Sequence, residues 1–198
     1  MKNIAKIWSM IFIGILLSLA FCGNGKQANM KEEQKLAKLE EFQTNKLEIS
    51  SSAFTEGDTI PVKFTCDGSD VSPVLTWVAP PEGTKSLALI CDDPDAPRGT
   101  WVHWVLFNIP PIVKSLSEAV EINKEDSLKG AVEGLTDFGN NSYGGPCPPR
   151  GPAHRYFFKI YALDKKLDLN ATATKSDVEK AMKGHILAMG QLMGTYKR

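Results

Sequence analysis

The sequence has no excess of basic residues. Lys and Arg together number 23, Asp and Glu also number 23, and the formal net charge is zero. Without Lys2 and Lys6, which belong to an apolar N-terminal segment, 21 basic residues face 23 acidic ones, a net charge of about −2. Because nonspecific binding of nucleic acid requires a basic surface, the composition indicates that nucleic acid is not a partner.

Several motifs that would define an enzyme or a cofactor site are missing. The sequence has no glycine-rich phosphate loop and no G-x-S-x-G nucleophile elbow, which mark nucleotide-binding proteins and α/β-hydrolases. It has no internal repeat either, which argues against a solenoid or a propeller. No cofactor is predicted.

The first 21 residues are apolar and contain no acidic side chain. Lys2 and Lys6 lead into an apolar run of about 15 residues, which is short for a membrane-spanning helix of about 20. A basic start followed by such a run is typical of an export signal. The next stretch, Leu19-Ala20-Phe21-Cys22, resembles a bacterial lipoprotein box, although Phe21 stands where a small residue is usual.

We therefore expect residues 1–21 to be a lipoprotein-type signal peptide that is cleaved before Cys22, and Cys22 to carry the lipid. A soluble secreted protein and an uncleaved signal anchor are the alternatives. Lipidation would make the protein a membrane-anchored lipoprotein of the bacterial cell envelope, facing the periplasm or the cell surface.

Residues 22–46 are predicted to be a charged tether. Residues 31–41 are charged helix formers with no wide apolar stripe, so they would bury little surface. The remainder, residues 47–198, is long enough for one domain with its own core.

The pattern of this domain predicts mostly β-structure. Short apolar runs at residues 86–91, 105–109 and 154–163 indicate buried strands. Residues 60–65 alternate and predict an edge strand, where Pro61 is tolerated. Short connections favour antiparallel pairing of the strands.

One helix is predicted near the C-terminus. Residues 176–179 have the form of a capping box, and apolar residues recur at helical spacing from Val178 to Met189. The helix should therefore have about 12 to 14 residues, end near Gly190 and carry His185. A lone histidine on a helix is more often a packing or surface residue than a ligand, so His185 is not placed in the site.

The stretch between two of the predicted strands, residues 92–104, is rich in polar groups suited to a site. Pro94 and Pro97 cannot continue a central strand, so they predict a rigid loop at a strand end. The loop holds three carboxylates and leads into His103, which two tryptophans flank. A solvated acidic turn would use similar residues, but the tryptophans and a second histidine in a later loop favour a site.

That later loop, residues 143–153, is dominated by Gly and Pro and leads into the strand that begins at His154. Its paired glycines allow backbone N–H groups to line a concave surface. Because side chains alternate across a strand, His154 and Tyr156 should share one face. Arg155 should point the other way, where we expect a salt bridge.

Several blocks of the sequence together resemble the phosphatidylethanolamine-binding protein (PEBP) family, in its bacterial YbhB/YbcL-like (Raf kinase inhibitor-like) branch. In the family's order the blocks are Cys66-Asp67-Gly68, Val71-Ser72-Pro73, Asp93-Pro94-Asp95-Ala96-Pro97, Trp101-Val102-His103-Trp104, Gly145-Pro146-Cys147-Pro148-Pro149 and His154-Arg155-Tyr156. The resemblance runs from about residue 51 to the C-terminus and leaves the signal segment and the tether outside.

The resemblance implies a mainly β fold: a large central antiparallel sheet, a smaller second sheet and peripheral helices that include a C-terminal one. It also implies a small pocket for phosphate or phospholipid head-group anions and no catalytic activity. Carried over to this sequence, the ligand-binding residues would be Asp93, Asp95, Trp101, His103, Tyr143, Gly144, Gly145, Pro146, His154 and Tyr156.

The resemblance also bears on the cysteines. Bacterial relatives have cysteines at places similar to Cys66 and Cys147, which implies a disulfide between the two. Export would place that pair in an oxidising compartment. Cys91 lies in an apolar run and should be buried and free.

The presence of carboxylates close to a bound anion requires an explanation, because like charges repel. Asp93 or Asp95 could accept a proton from an imidazole, which fixes its tautomer and favours the imidazolium. Alternatively, one of them could accept the ammonium of an ethanolamine head group. With a carboxylate beside it and an anion bound, the pKa of His103 should rise, so binding should be strongest at low pH.

Three functions fit these residues. The first is binding of phosphate or a phosphoryl head group, with the membrane as a second partner through Cys22. The second is inhibition of an exported protease or another partner protein, such as a kinase-like one. The third is an Asp/His hydrolase. His103, His154 and an Asp are also metal-ligand types, but their spacing has no recognised metal signature, so no metal is predicted. A homodimer stays open.

Overall fold

The computed structural model describes residues 46–198; the predicted signal segment, Cys22 and nearly all of the tether lie outside the described residues. Within this range the chain forms eight strands and one α-helix. In chain order they are β1 (Ile49–Ser50), β2 (Leu75–Trp77), β3 (Ser86–Asp93), β4 (Trp101–Ile109), β5 (Ser115–Leu116), β6 (Val132–Glu133), β7 (His154–Leu163), α1 (Lys175–Met182) and β8 (Ile186–Tyr196).

The strands form two antiparallel sheets. The larger has five strands in the order β6-β4-β3-β7-β8, and the smaller has three in the order β1-β2-β5. The predicted fold class is confirmed: a large central sheet, a smaller second sheet and a helix near the C-terminus.

The central strand β3 is buried because both faces of the large sheet are covered. Leu87 and Leu89 join one apolar cluster with Trp77 of the small sheet, and Ile90 joins a second cluster with Val178 of α1. All eight residues of β3 are buried. A strand covered on both faces needs apolar residues at successive positions, which explains the unbroken apolar run from residue 87 to residue 91.

Residues 60–65 do not form the predicted edge strand. Val62–Phe64 form a single 3-10 turn after Pro61, closed by the N–H of Phe64, which donates to the carbonyl of Pro61 at 2.9 Å. Pro61 has no N–H for a sheet, and its fixed φ suits the start of a turn. Ile60 and Phe64 are buried while Val62 between them is exposed, whereas a strand would place all three side chains on one face.

The predicted C-terminal helix is present but shorter than expected. α1 ends at Met182, and the residues assigned to its last turns belong to β8. Gly184 follows the helix end with a φ of +80°, a conformation that glycine adopts without steric cost. Beyond it the buried side chains alternate, as at Ala188, Leu192 and Tyr196, because β8 pairs along the whole of β7.

The helix also begins earlier than predicted. The hydroxyl of Thr174 accepts the N–H of Asp177, and the carboxylate of Asp177 accepts the N–H of Thr174, so the capping box lies two residues before the predicted one. His185 follows the helix and lies in the turn before β8, with Nδ1 at 2.8 Å from Oδ1 of Asp164. No helix within residues 46–198 has the length and apolar character needed to cross a membrane.

Replacing Gly190 with Ala should destabilise the fold. A Cβ at this position of β8 would overlap the backbone carbonyl of Leu47. The N–H of Leu47 donates to the carbonyl of Met189, the residue before Gly190, at 2.9 Å. Overpacking of this kind costs about 1–3 kcal/mol, so Gly190→Ala should lower the free energy of unfolding in urea by at least that range. Gln191→Ala, at the next, exposed position, should change it by less than about 0.5 kcal/mol. Equal stability of the two variants would contradict the close approach of Leu47 to β8.

Candidate functional site

The predicted site residues meet at one end of the large sheet. Asp93 is the last residue of β3, His103 lies near the start of β4, and His154 is the first residue of β7. β3 is antiparallel to both neighbours, so its C-terminal end lies beside the N-terminal ends of β4 and β7. Strand pairing thus brings together side chains that are far apart in sequence.

Asp93 fixes the imidazole of His154. Nδ1 of His154 lies 2.8 Å from Oδ2 of Asp93 and donates its proton, because an ionised carboxylate can only accept. Oδ1 of Asp93 accepts the backbone N–H of Asp95 at 2.8 Å. Both side chains of the pair are buried. Of the two roles considered for the carboxylates, Asp93 therefore has the first: it holds one tautomer of His154 and leaves Nε2 available.

A β-bulge places His103 at the same end of the sheet. Cys91 pairs with Trp104 and Asp92 pairs with Val102, so His103 is the extra residue on β4. Bulges redirect side chains and are frequent beside functional sites. The ring of His103 packs edge-on against that of Tyr156, with 5.2 Å between the ring centroids.

Gly144 fixes the second imidazole. Nδ1 of His103 lies 2.7 Å from the carbonyl oxygen of Gly144, and it carries the proton because a carbonyl oxygen only accepts. The N–H of Gly144 donates in return to the carbonyl of His103 at 3.0 Å. His103, like His154, is left with Nε2 as the nitrogen available to a ligand.

A cavity of about 300 Å³ opens between these side chains. Most of its lining is apolar, so a few polar atoms decide what it can bind. Larger depressions of about 690, 780 and 510 Å³ lie among other described residues, but none of the three contains a histidine. The cavity is lined by Asp93, Ala96, Pro97, Trp101, His103, Phe138, Cys147, Pro148, Pro149, His154 and Tyr156.

The hydroxyl of Tyr156 is buried and has no hydrogen-bond partner among the described residues. Burial, and after it the negative charge of Asp93, raises the pKa of Tyr156 above its usual value, although no hydrogen bond of normal geometry joins the two. Buried polar groups are nearly always paired. A neutral hydroxyl on the cavity lining is therefore available to donate to an acceptor that enters it.

Burial lowers the pKa of His103 below its usual value. The carbonyl of Gly144 and the charge of Asp93 oppose this shift but do not overcome it. This lowering is opposite to the rise expected when an anion is bound. It occurs because removing the imidazolium from water costs more free energy than its attraction to the neighbouring carboxylate contributes. Without a bound anion, burial therefore favours the neutral form of His103.

Asp95 does not line the cavity and pairs with Arg155 instead. Its carboxylate accepts two hydrogen bonds from the guanidinium, at 2.7 and 2.9 Å, and one from the backbone N–H of Arg155, at 3.0 Å. The hydrogen bonds of Arg155 lower the pKa of Asp95 to about 2. The predicted salt bridge of Arg155 is confirmed, and its partner is a residue that had been predicted to bind ligand.

Residues 143–146, all predicted to bind ligand, are not among the residues that line the cavity. Three hydrogen bonds fasten them to residues 64–70, so they hold the cavity wall in place. The bonds run from Tyr143 Oη to the Phe64 carbonyl (2.9 Å), from the Gly145 N–H to Asp70 Oδ1 (2.7 Å) and from the Cys66 N–H to the Pro146 carbonyl (3.2 Å).

A disulfide adds a covalent link between the same two segments. Cys66 and Cys147 are bonded, with 5.4 Å between their Cα atoms, as the resemblance implied. Cys147 also forms part of the cavity lining. Cys91 is a buried free cysteine, as predicted.

Phe138 is a lining residue that sequence reasoning missed. Its ring packs edge-on against Trp101 and His103, with centroid distances of 5.5 and 5.3 Å. The neighbouring Asp137 brings it there, because its carboxylate accepts the N–H of Val102 at 2.7 Å. The only sequence signal is a single aromatic residue within a loop rich in Gly and Asn.

Residues 46–198 contain no group of three or more side chains arranged to hold a metal ion.

These features define a β-sheet protein with a small, mostly apolar cavity that two fixed imidazoles border. The sequence profile of the family described as phosphatidylethanolamine-binding protein matches residues 50–197. The chain therefore belongs to the PEBP family and is a binding protein of that family.

Similar proteins occur in archaea and bacteria. UPF0098 proteins of Methanothermobacter thermautotrophicus and Aquifex aeolicus are each 49% identical to the chain; the matches cover 77% of it and 99% and 89% of those proteins. A crystal structure of a PEBP homologue from Chlamydia trachomatis has a TM-score of 0.71 at 41% identity and covers 78% of the chain and 99% of its own. The crystal structure of Escherichia coli YbcL, described as a new member of the mammalian PEBP family, has a TM-score of 0.70 at 33% identity and covers 77% of the chain and 99% of its own.

Removing the disulfide should destabilise the domain. The bond closes a loop with a sequence separation of 81, and the restriction of the unfolded chain by such a loop corresponds to about 4 kcal/mol. Cys66→Ser combined with Cys147→Ser should lower the free energy of unfolding in urea by roughly this amount, and dithiothreitol should do the same to the parent. Cys91→Ala is the control and should keep its sensitivity to dithiothreitol. A parent protein that reductant leaves unchanged would argue against the bond.

Proposed function

We propose that the protein binds phosphate and phosphoryl head-group anions in this cavity. One observation carries the proposal: three buried polar side chains border one small space, and each has a polar atom that no described residue occupies. These atoms are the hydroxyl of Tyr156, which donates as it stands, and Nε2 of His103 and of His154, which donates once the imidazole is protonated. Hydrogen bonds to a charged partner contribute about 1.5–3 kcal/mol each, so these groups would favour an oxyanion over a neutral ligand.

The charge of Asp93 is compatible with a bound anion. Its two oxygens already accept from His154 and from the N–H of Asp95. Both carboxylate oxygens therefore face donors, and the charge of a protonated His103 would offset the charge of Asp93.

The apolar remainder of the cavity supports a phosphate ester as the ligand. Pro97, Trp101 and Phe138 line the space next to the imidazoles. A bare phosphate would leave these side chains in contact with water, whereas an alkyl substituent would cover them. Phospholipid head groups and other phosphomonoesters or phosphodiesters have this combination of an oxyanion and a carbon chain.

The same contacts argue against a carboxylate as the general base of a hydrolase at this site. A general base must be within reach of the water that it activates. Asp93 is occupied by two donors, and Asp95 is bound by Arg155 outside the lining. We therefore propose binding without turnover. Measurable release of phosphate from a panel of phosphate esters would contradict it.

We further propose that the protein is exported and held at the envelope membrane by lipid on Cys22. The support comes from the sequence: a basic start, an apolar run without acids and a cysteine directly after it. Two or more acyl chains on one cysteine give stable membrane association, whereas one chain binds only marginally. The tether would then join the anchor to the domain that carries the cavity.

Phosphate affinity should increase as the pH falls. The pKa of free His103 is lowered by burial, and a bound anion favours the imidazolium, so binding should take up a proton between those two pKa values. Within that window affinity should fall about tenfold, or 1.4 kcal/mol, for each critical charge lost as the pH rises. Titration calorimetry with phosphate and O-phosphoethanolamine from pH 5.5 to 8.5, in two buffers of different ionisation enthalpy, measures both the affinity and the proton uptake.

Two histidine variants control this experiment. His103→Ala should weaken binding and flatten the pH profile. His185→Ala should change neither, because His185 pairs with Asp164 beyond the opposite end of β7. A flat profile for the parent protein, or full binding by His103→Ala, would mean that the cavity does not use His103 for anions.

Lipid attachment should depend on Cys22. In cells fed radiolabelled palmitate, the parent protein should incorporate label and remain with the membrane fraction after a high-salt wash. Cys22→Ser should incorporate none and keep its signal segment, because the cysteine is both the acceptor and the processing site. Cys91→Ser, which removes a different free thiol, should still be labelled. A parent protein that never takes up label would refute the anchor and point to Phe21 as the reason.

A further inference from the structure

The peptide group between Gly144 and Gly145 is bonded on both sides. Its carbonyl accepts Nδ1–H of His103 at 2.7 Å, and its N–H donates to Oδ1 of Asp70 at 2.7 Å. Asp70 is thus connected to His103 through a single peptide unit. The connection does not involve the cavity itself, because Asp70 is not among the lining residues.

Asp70 has an unusual backbone conformation that suits this contact. Its φ of +55° lies in the left-handed region, which Asp and Asn tolerate better than most residues. Non-glycine residues persist there when surrounding contacts require it, and such positions cluster at functional sites. The contact that Asp70 makes is with Gly145.

Gly145 allows the carboxylate to approach so closely. A Cβ at this position would lie 2.5 Å from Oδ1 of Asp70 and would overlap the carbonyl of Phe64. Any side chain would therefore displace either the carboxylate or residues 64–65. The close contact between these two residues therefore depends both on the missing side chain of Gly145 and on the carboxylate of Asp70.

The two imidazoles of the cavity are consequently held in parallel ways. Asp93 accepts Nδ1–H of His154 directly. Asp70 acts on His103 one peptide further away, because a charged acceptor on an N–H orients the peptide and strengthens the carbonyl as an acceptor. Partners of this kind fix the tautomer and the ring orientation of a histidine.

We propose that Asp70 is a positioning residue of the cavity: through the Gly144–Gly145 peptide it holds His103 as the Nδ1–H tautomer, with Nε2 available to the ligand. Asp70 itself touches no ligand. The consequence for anion affinity rests on the proposed function, whereas the tautomer of His103 does not depend on it.

Two variants of Asp70 separate its acceptor from its backbone conformation. Asp70→Gly removes the acceptor and adopts a positive φ without strain. Asp70→Asn keeps an acceptor oxygen and also tolerates this φ. Asp67→Asn is the matched control in the same segment, because Asp67 accepts from Tyr196 and Arg198 and makes no contact with the peptide. Thermal unfolding of each variant reports whether it is folded.

The first readout is the tautomer of His103, measured by two-bond ¹H–¹⁵N correlation spectra above its pKa. The parent, Asp70→Asn and Asp67→Asn should show the Nδ1–H form alone. Asp70→Gly should show a mixture of both tautomers. A single Nδ1–H tautomer in Asp70→Gly would overturn the proposal. A purely structural role of Asp70 would change the melting temperature but not this signature.

The second readout is phosphate affinity at pH 6. Asp70→Gly should bind about tenfold more weakly than the parent, which corresponds to roughly 1.4 kcal/mol, and Asp70→Asn should recover most of the loss. Unchanged affinity of Asp70→Gly would overturn the effect on binding. If the parent binds no phosphate, the anion function fails, and the tautomer spectra still decide the role of Asp70.

A third measurement covers the case in which Asp70→Gly does not fold. In Asp70→Asn the acceptor of the Gly145 N–H loses its charge, so the amide proton of Gly145 should shift upfield relative to the parent. An unchanged resonance would show that Asp70 does not hold this peptide and would overturn the proposal.

Discussion

The site depends on the antiparallel pairing of β3 with a neighbour on each side. Pairing with β4 and β7 fixes where the end of β3 lies, and so places Asp93 within 2.8 Å of the first residue of β7. The apolar burial of β3 on both faces stabilises that pairing. Without this pairing, the acidic loop that follows β3 and the loop that precedes His154 would not lie next to each other.

Burial and hydrogen bonding both determine the state of the two imidazoles that border the cavity. Burial of His103 disfavours its charged form and lowers its pKa, while the carbonyl of Gly144 fixes which nitrogen carries the proton. Asp93 gives His154 a similar fixed geometry. A polar group that is already oriented loses little entropy when a ligand arrives, so this fixed geometry suits the binding proposed for the cavity.

The wall of the cavity is stabilised from behind. Residues 143–147 contribute little to the lining, yet the disulfide and three hydrogen bonds join them to residues 64–70. These contacts hold the carbonyl that positions His103. Gly144 and Gly145, which the family motif associates with a ligand, therefore support the cavity wall and do not line it.

The sequence by itself determined the buried strands, the shared face of His154 and Tyr156, and the opposite direction of Arg155, because these follow from local apolar runs and the two-residue period of a strand. The disulfide and the fold class followed from motif resemblance. Only the tertiary structure decided that residues 186–196 are a strand, because their pairing partner is β7 and not a nearby residue. It also decided the bulge at His103, the lowered pKa of that residue and the contacts of Phe138 and Asp70. Each of these depends on long-range contacts or on desolvation, which no local pattern of residues encodes.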